Sequence, residues 1–139
     1  MGGLEDATVQ AMLAAARGAS TRAYCPYSRF RVGAAVLTEG GTVVAGCNVE
    51  NASYGLTICA ERVAVFHALV GGATAIRAVV VFTPTPEPTA PCGACRQVLN
   101  EFGPEAEVWC VCDGPGVLRA TVAELLPGAF GPRNLDPPR

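Results

Sequence analysis

The sequence has no lysine, one histidine, one tryptophan and little charge of either sign, 16% of its 139 residues. Its ten basic side chains are all arginine, and no segment gathers them. A nucleic-acid partner calls for phosphate-neutralising cations concentrated on one face. With a formal net charge of −2 the chain lacks that footprint, so a small or neutral substrate is expected instead of a polymer. A secretory leader is missing too. Glu5 and Asp6 stand where a basic segment would lie, and an alanine-rich helical stretch follows in place of an apolar core. The longest nearly uncharged run, Val63 to Ile76, is interrupted by Gly71-Gly72 and falls short of the roughly 20 apolar residues a membrane span needs. A cytoplasmic, soluble protein with no membrane contact is expected.

What is present suits one globular domain. Half of the residues are hydrophobic, and a chain of this length can bury a single core. Residues 1–130 read as that domain, and the proline-rich segment 131–139 as a flexible tail. There are seven cysteines. An odd count without a secretion signal argues against a disulfide framework. Clustered thiols in a reducing compartment point to metal or catalysis, whereas isolated ones are more often small buried hydrophobes.

The pattern predicts a helix over Leu4–Arg17, where Val9, Met12, Leu13 and Ala16 recur at helical spacing and Gly18 reads as a stop. Phe30–Thr38 and Thr42–Asn48 are strand-like and flank Glu39-Gly40-Gly41, a hairpin signal. A second helix fits Ile58–Val70, and Ile76–Phe82, apolar apart from Arg77, reads as a buried strand. Thr83–Pro88 must be a loop because each proline removes a donor and fixes φ. A third helix is expected from Cys92 to Phe102, short strands over Glu107–Cys112 and Val117–Arg119, and a short helix over Val122–Leu125. The order implies an α/β fold: one mixed, roughly five-stranded sheet with helices on its faces, a three-layer α/β/α arrangement.

Two short motifs carry the chemistry. Cys59-Ala60-Glu61 and Pro91-Cys92-Gly93-Ala94-Cys95 each fall at a predicted helix N-terminus. Zinc binds thiolate, and free N–H groups with partial positive charge at a helix start favour that form. Cys92 and Cys95, three apart, share one helix face, and Cys59 supplies a third ligand from another helix. Three protein ligands on a four-coordinate ion leave a position for water, as in catalytic zinc sites. Glu61, close to the ion without binding it, is placed to move protons between water and substrate. A closed structural zinc site is the alternative, and it needs a fourth ligand from Cys25, Cys47, Cys110, Cys112 or His67. Cys25, Cys47, Cys110 and Cys112 are read as buried packing. His67, six residues past Glu61, is read as a surface or interface residue. Three thiolates and Zn²⁺ sum to −1, so a cation beside them would help, and Arg62 and Arg96 each follow a site residue.

The two halves together match the described signature of zinc deaminases, with Cys₃ ligation. From about Met12 to Phe130 the chain resembles the small homotetrameric cytidine deaminases. The likeness runs through Tyr27–Ala35, Asn48–Gly55, Cys59–Arg62, Pro91–Gln97 and Glu124–Phe130. The resemblance implies one Zn²⁺ per subunit on Cys59, Cys92 and Cys95, with Glu61 as proton shuttle and Arg62 balancing thiolate charge. It implies Asn48 and Glu50 at the ribose 3′-hydroxyl, a plausible pairing because an amide can donate to that group and a carboxylate can accept from it. It also implies Phe30 and Ala60 against the nucleoside within one subunit. Ala52, Tyr54 and the Phe130 ring would reach it across a subunit interface. The implied reaction converts cytidine or deoxycytidine and water to uridine or deoxyuridine and ammonia. Another small amine substrate, such as the nucleoside antibiotic blasticidin S, is a rival reading. A zinc-stabilised binding protein without activity is a second.

Overall fold

Strict alternation along the strands decides the layering. In the computed structural model, which describes residues 5–135, Ala34 and Val36 of strand β1 (Gly33–Thr38) point to one face of a sheet, and Ala35 and Leu37 to the other. Both faces are covered, so every residue of β1 is buried. The other strands are β2 (Val43–Cys47), β3 (Ile76–Phe82), β4 (Glu107–Val111) and β5 (Leu118–Thr121). They form one five-stranded sheet in the order β2-β1-β3-β4-β5. The β3–β4 pair is parallel and the remaining pairs are antiparallel, so the expected mixed sheet is observed.

Helix α1 (Asp6–Ser20) covers one face, where Met12 and Ala16 pack on Ala35, Leu37, Ala78, Val80 and Phe82. Helices α2 (Ala60–Val70) and α3 (Gly93–Phe102) lie on the opposite face, over Val79, Val81, Val108 and Cys110. The short helix α4 (Val122–Leu125) follows β5 and adds Val122 to that core. Each fully buried valine contributes about 1.5–3 kcal/mol through the apolar surface it withdraws from water.

Two glycines set how closely helices approach the sheet. A Cβ on Gly46 would lie 2.4 Å from Ala64 N and 2.8 Å from Ala60 O, so α2 sits directly on the backbone of β2. A Cβ on Gly33 would lie 1.9 Å from Ala16 O, so α1 sits equally close to β1.

Several boundaries differ from the sequence reading. Helix α1 runs through Gly18 to Ser20, because packing on Gly33 holds its last turn. The Arg31 guanidinium also takes the carbonyls of Ser20, Thr21 and Ala23. The expected start at Leu4 lies outside the described residues. Residues 30–32 do not join β1. Ile58 and Cys59 precede α2, and Cys112 lies beyond the end of β4. A 3-10 turn spans Pro132–Asn134.

Candidate active site

Cys59 and Cys92 hold the same local position. Each is the N-cap of its helix, with extended backbone (φ −74°, ψ 154° and φ −69°, ψ 170°). Helices α2 and α3 follow strands β2 and β3, which run in the same direction, so both helix starts open above the same end of the sheet. This is the end where α/β sheets bind their ligands. The two N-termini bring Cys59, Cys92 and Cys95 together, with all three sulfurs within 4.8 Å of one another. The Cys59 and Cys92 sulfurs are 3.8 Å apart. Two thiolates on one tetrahedral zinc, each at about 2.3 Å, also stand about 3.8 Å apart. The Cys59–Cys92 separation therefore fits zinc, and Cys95 completes a three-thiol donor set of the kind zinc takes.

The charge around these sulfurs is asymmetric. Hydrogen bonding to Cys95, together with Arg62 and Cys92, brings the Cys59 thiol down to about 5. The shared hydrogen bond with Cys59, and burial, push Cys95 well above its usual value. Arg62 Nη2 donates to Cys59 Sγ at 3.3 Å, as the charge argument expected, while its Nε is buried without a hydrogen-bond partner. Arg96 does otherwise. Its Nε donates to Pro91 O at 2.8 Å and its Nη1 to Leu125 O at 2.9 Å. It ties the loop before Cys92 to the end of α4 and makes no bond to the sulfurs.

Glu61, in the first turn of α2, is 5% exposed. Burial pushes its carboxyl up to about 7; the Cys59 charge adds to that, and Arg62 opposes it. A buried carboxyl of this kind, beside a metal-ligand cluster, is equipped to hold and release a proton near neutral pH. The other thiols stay outside the cluster. Cys110 is fully buried in the core, where burial pushes it up to about 12. Cys112 points among the carbonyls of Pro86, Gly114 and Gly116. Cys25 is buried, and the His67 ring meets Ala45 O at 3.0 Å through Nδ1.

A loop wall continues from the metal cluster. Asn48 is buried, and its Oδ1 accepts from Val32 N at 2.9 Å while its Nδ2 donates to Phe30 O at 2.8 Å. Each end of the amide keeps a further bonding position. Glu50 accepts from Tyr27 N at 3.0 Å, Ser28 N at 3.1 Å and the Ser28 hydroxyl. Those donors, the Ser28 side chain first, hold its carboxyl below the usual range. A cavity of about 230 Å³ opens beside them, lined by Tyr27, Ser28, Glu50, Tyr54 and Thr57. Phe30 stands 40% exposed, next to Arg29, whose φ of 59° is rare for a residue other than glycine.

The remaining residues singled out from sequence divide in two. Ala60 is fully buried beneath the cluster. Ala52, Tyr54 and Phe130 are exposed, and the Tyr54 ring lies 5.7 Å from that of Tyr27. The Phe130 carbonyl accepts from Gln97 Nε2 at 2.8 Å and from Asn100 Nδ2 at 3.4 Å, which fixes its backbone against α3 and leaves the ring free. Sequence reasoning gave no role to Ser28 and none to Arg96 as a brace. Their partners lie 22 and 29 residues away, beyond the reach of any local pattern.

Three thiolates at paired helix starts with a buried carboxyl two residues on define a hydrolytic zinc site of the deaminase class. The family model described as cytidine and deoxycytidylate deaminase zinc-binding region matches residues 6–111, and the chain belongs to that family. It is 44% identical over 129 residues to a cytidine deaminase of Sporosarcina psychrophila, covering 92% of this chain and 95% of that protein. It is 49% identical over 115 residues to one from Halalkalibacterium halodurans, covering 82% and 87%. The crystal structure of a cytidine deaminase from Burkholderia pseudomallei superposes with a TM-score of 0.83 at 49% identity, covering 87% of this chain and 98% of that one. Among the described residues, no helix is long and apolar enough to cross a membrane.

Proposed function

We propose that the protein hydrolyses the 4-amino group of free cytidine and deoxycytidine, giving uridine or deoxyuridine and ammonia. The observation that carries this is the placement of Glu61, buried two residues from Cys59 and beside three converging sulfurs. Cys59, Cys92 and Cys95 would hold zinc, which when bound would lower the pKa of a coordinated water toward neutral. Glu61 takes a proton from the attacking water and delivers it to N3 of the pyrimidine, which leaves C4 open to attack. Once the hydroxide oxygen has bonded to C4, Glu61 carries the proton of the new 4-hydroxyl to the 4-amino nitrogen; the C4–N bond breaks, ammonia departs and the 4-carbonyl forms. Arg62 offsets the excess negative charge of the thiolates through its bond to Cys59.

Phe30 and Ala60 pack against the base, and Asn48 and Glu50 hold the ribose 3′-hydroxyl. Exposed Ala52, Tyr54 and Phe130 complete the pocket of a neighbouring subunit in a homotetramer. The setting is pyrimidine salvage in the cytoplasm, carried out by a single domain over residues 1–130. The candidate fourth ligands of a closed structural site support this reading by lying elsewhere: Cys110 in the core, Cys112 among carbonyls, and His67 on α2 with its ring against Ala45 O of β2.

Substrate choice is tested by ammonia release from cytidine, blasticidin S and a cytidine-containing RNA oligomer. Turnover of cytidine with little from the other two is expected. Preferred turnover of either of the others would overturn the assignment.

A further inference from the structure

We infer that Ser28 is a positioning residue for sugar recognition, coupling the Glu50 carboxylate to the Phe30 backbone. Its hydroxyl donates to Glu50 Oε2 and accepts from Phe30 N at 3.0 Å. Its main-chain N–H and that of Tyr27 both go to the other carboxylate oxygen, Oε1. Glu50 therefore has one rotamer held by three donors, although it sits at the open wall of the 230 Å³ cavity. The same hydroxyl fixes the amide of Phe30, whose carbonyl is held by Asn48 Nδ2 at 2.8 Å.

Main-chain donors alone would leave Oε2 free to swing. Among the described residues, the Ser28 hydroxyl is the one side-chain donor to that oxygen. A carboxylate receiving a sugar hydroxyl gains most when its orientation is fixed before the ligand arrives. Ser28 thus acts mainly through Glu50, and its larger contribution is to nucleosides that carry the 3′-hydroxyl; its bond to the Phe30 amide serves both kinds. The inference rests on the reading that Glu50 meets that hydroxyl, and the comparison below separates failure of one from failure of the other.

The test measures kcat and KM for cytidine and 3′-deoxycytidine with wild type, Ser28→Ala, Ser28→Thr and Glu50→Gln, with zinc content and Tm recorded for each. Losing a bond to a charged group predicts that Ser28→Ala raises KM for cytidine about tenfold and leaves kcat within about twofold. KM for 3′-deoxycytidine should rise by much less than KM for cytidine, and Ser28→Thr, which keeps a hydroxyl, should recover most of the loss. Equal increases for both nucleosides, or no increase for either, would overturn the role of Ser28. If Glu50→Gln also fails to distinguish the two nucleosides, the placement of Glu50 at the sugar is wrong and the inference goes with it. Should Ser28→Ala not fold, Ser28→Cys, similar in size with a weaker donor, carries the same comparison and is read the same way.

Discussion

Cys59 and Cys92 each stop just short of a helix, and that one-residue difference shapes the site. An N-cap has extended backbone and stands at the positive end of its helix, which favours a thiolate there. Cys95, a turn into α3, is reached by the same approach. Because zinc binding is coupled to folding, Cys92→Ala is expected to lose zinc and to lower Tm together; full zinc occupancy by elemental analysis would contradict this. The ligand set and Glu61 were legible in the sequence because their chemistry is tied to short fixed spacings. Arg62 was legible from charge balance. Arg96 was not, because whether an arginine meets a sulfur or a carbonyl depends on where α4 ends, and the sequence near Cys95 holds no trace of that.

Among the elements, the buried strand Ile76–Phe82 and the short helix Val122–Leu125 coincide with the sequence reading. An apolar run interrupted only by Arg77 marks the first, and the Thr121–Glu124 capping box fixes the start of the second. The expected strand start at Phe30 fails for a specific reason. Asn48 inserts its amide where a ladder partner would lie, taking Val32 N and Phe30 O with a side chain, while Arg29 turns the chain at positive φ. A side chain mimicking a strand leaves no periodic signal. Another long-range tie joins the β1–β2 hairpin to the start of β3: Glu39 accepts from Thr74 N at 3.2 Å, Thr74 Oγ1 at 2.9 Å and Ala75 N at 3.3 Å. These bonds, Thr74 Oγ1 first, hold the Glu39 carboxyl below its ordinary 4.5. A depressed folded value means that the stabilisation is present above pH 4.5 and is lost as pH falls through the lower folded value. Urea unfolding of Glu39→Gln across pH 3 to 6 should therefore show a smaller loss of stability on acidification than wild type; parallel curves would contradict it.

For the whole molecule, the three-layer order followed from the alternation of helical and strand patterns, while the joining of the two helix starts needed the topology. Gly33 and Gly46 set that geometry by admitting helix backbones at distances no side chain would allow. Tyr54 and Phe130, 74% and 58% exposed, are the rings that the proposed tetramer would bury between subunits. Sedimentation equilibrium should give roughly four times the 14.3 kDa chain mass, and a monomer at micromolar concentration would contradict the shared pocket. The account turns on Glu61 as the proton carrier of a hydrolytic deamination. The direct measurement follows the ultraviolet absorbance change as cytidine loses its 4-amino group, using zinc-replete wild type and Glu61→Ala side by side. Turnover by wild type, with the variant retaining zinc but slowed by about a hundredfold to ten-thousandfold, is the predicted result. No turnover by wild type, or equal rates for the two proteins, would contradict it.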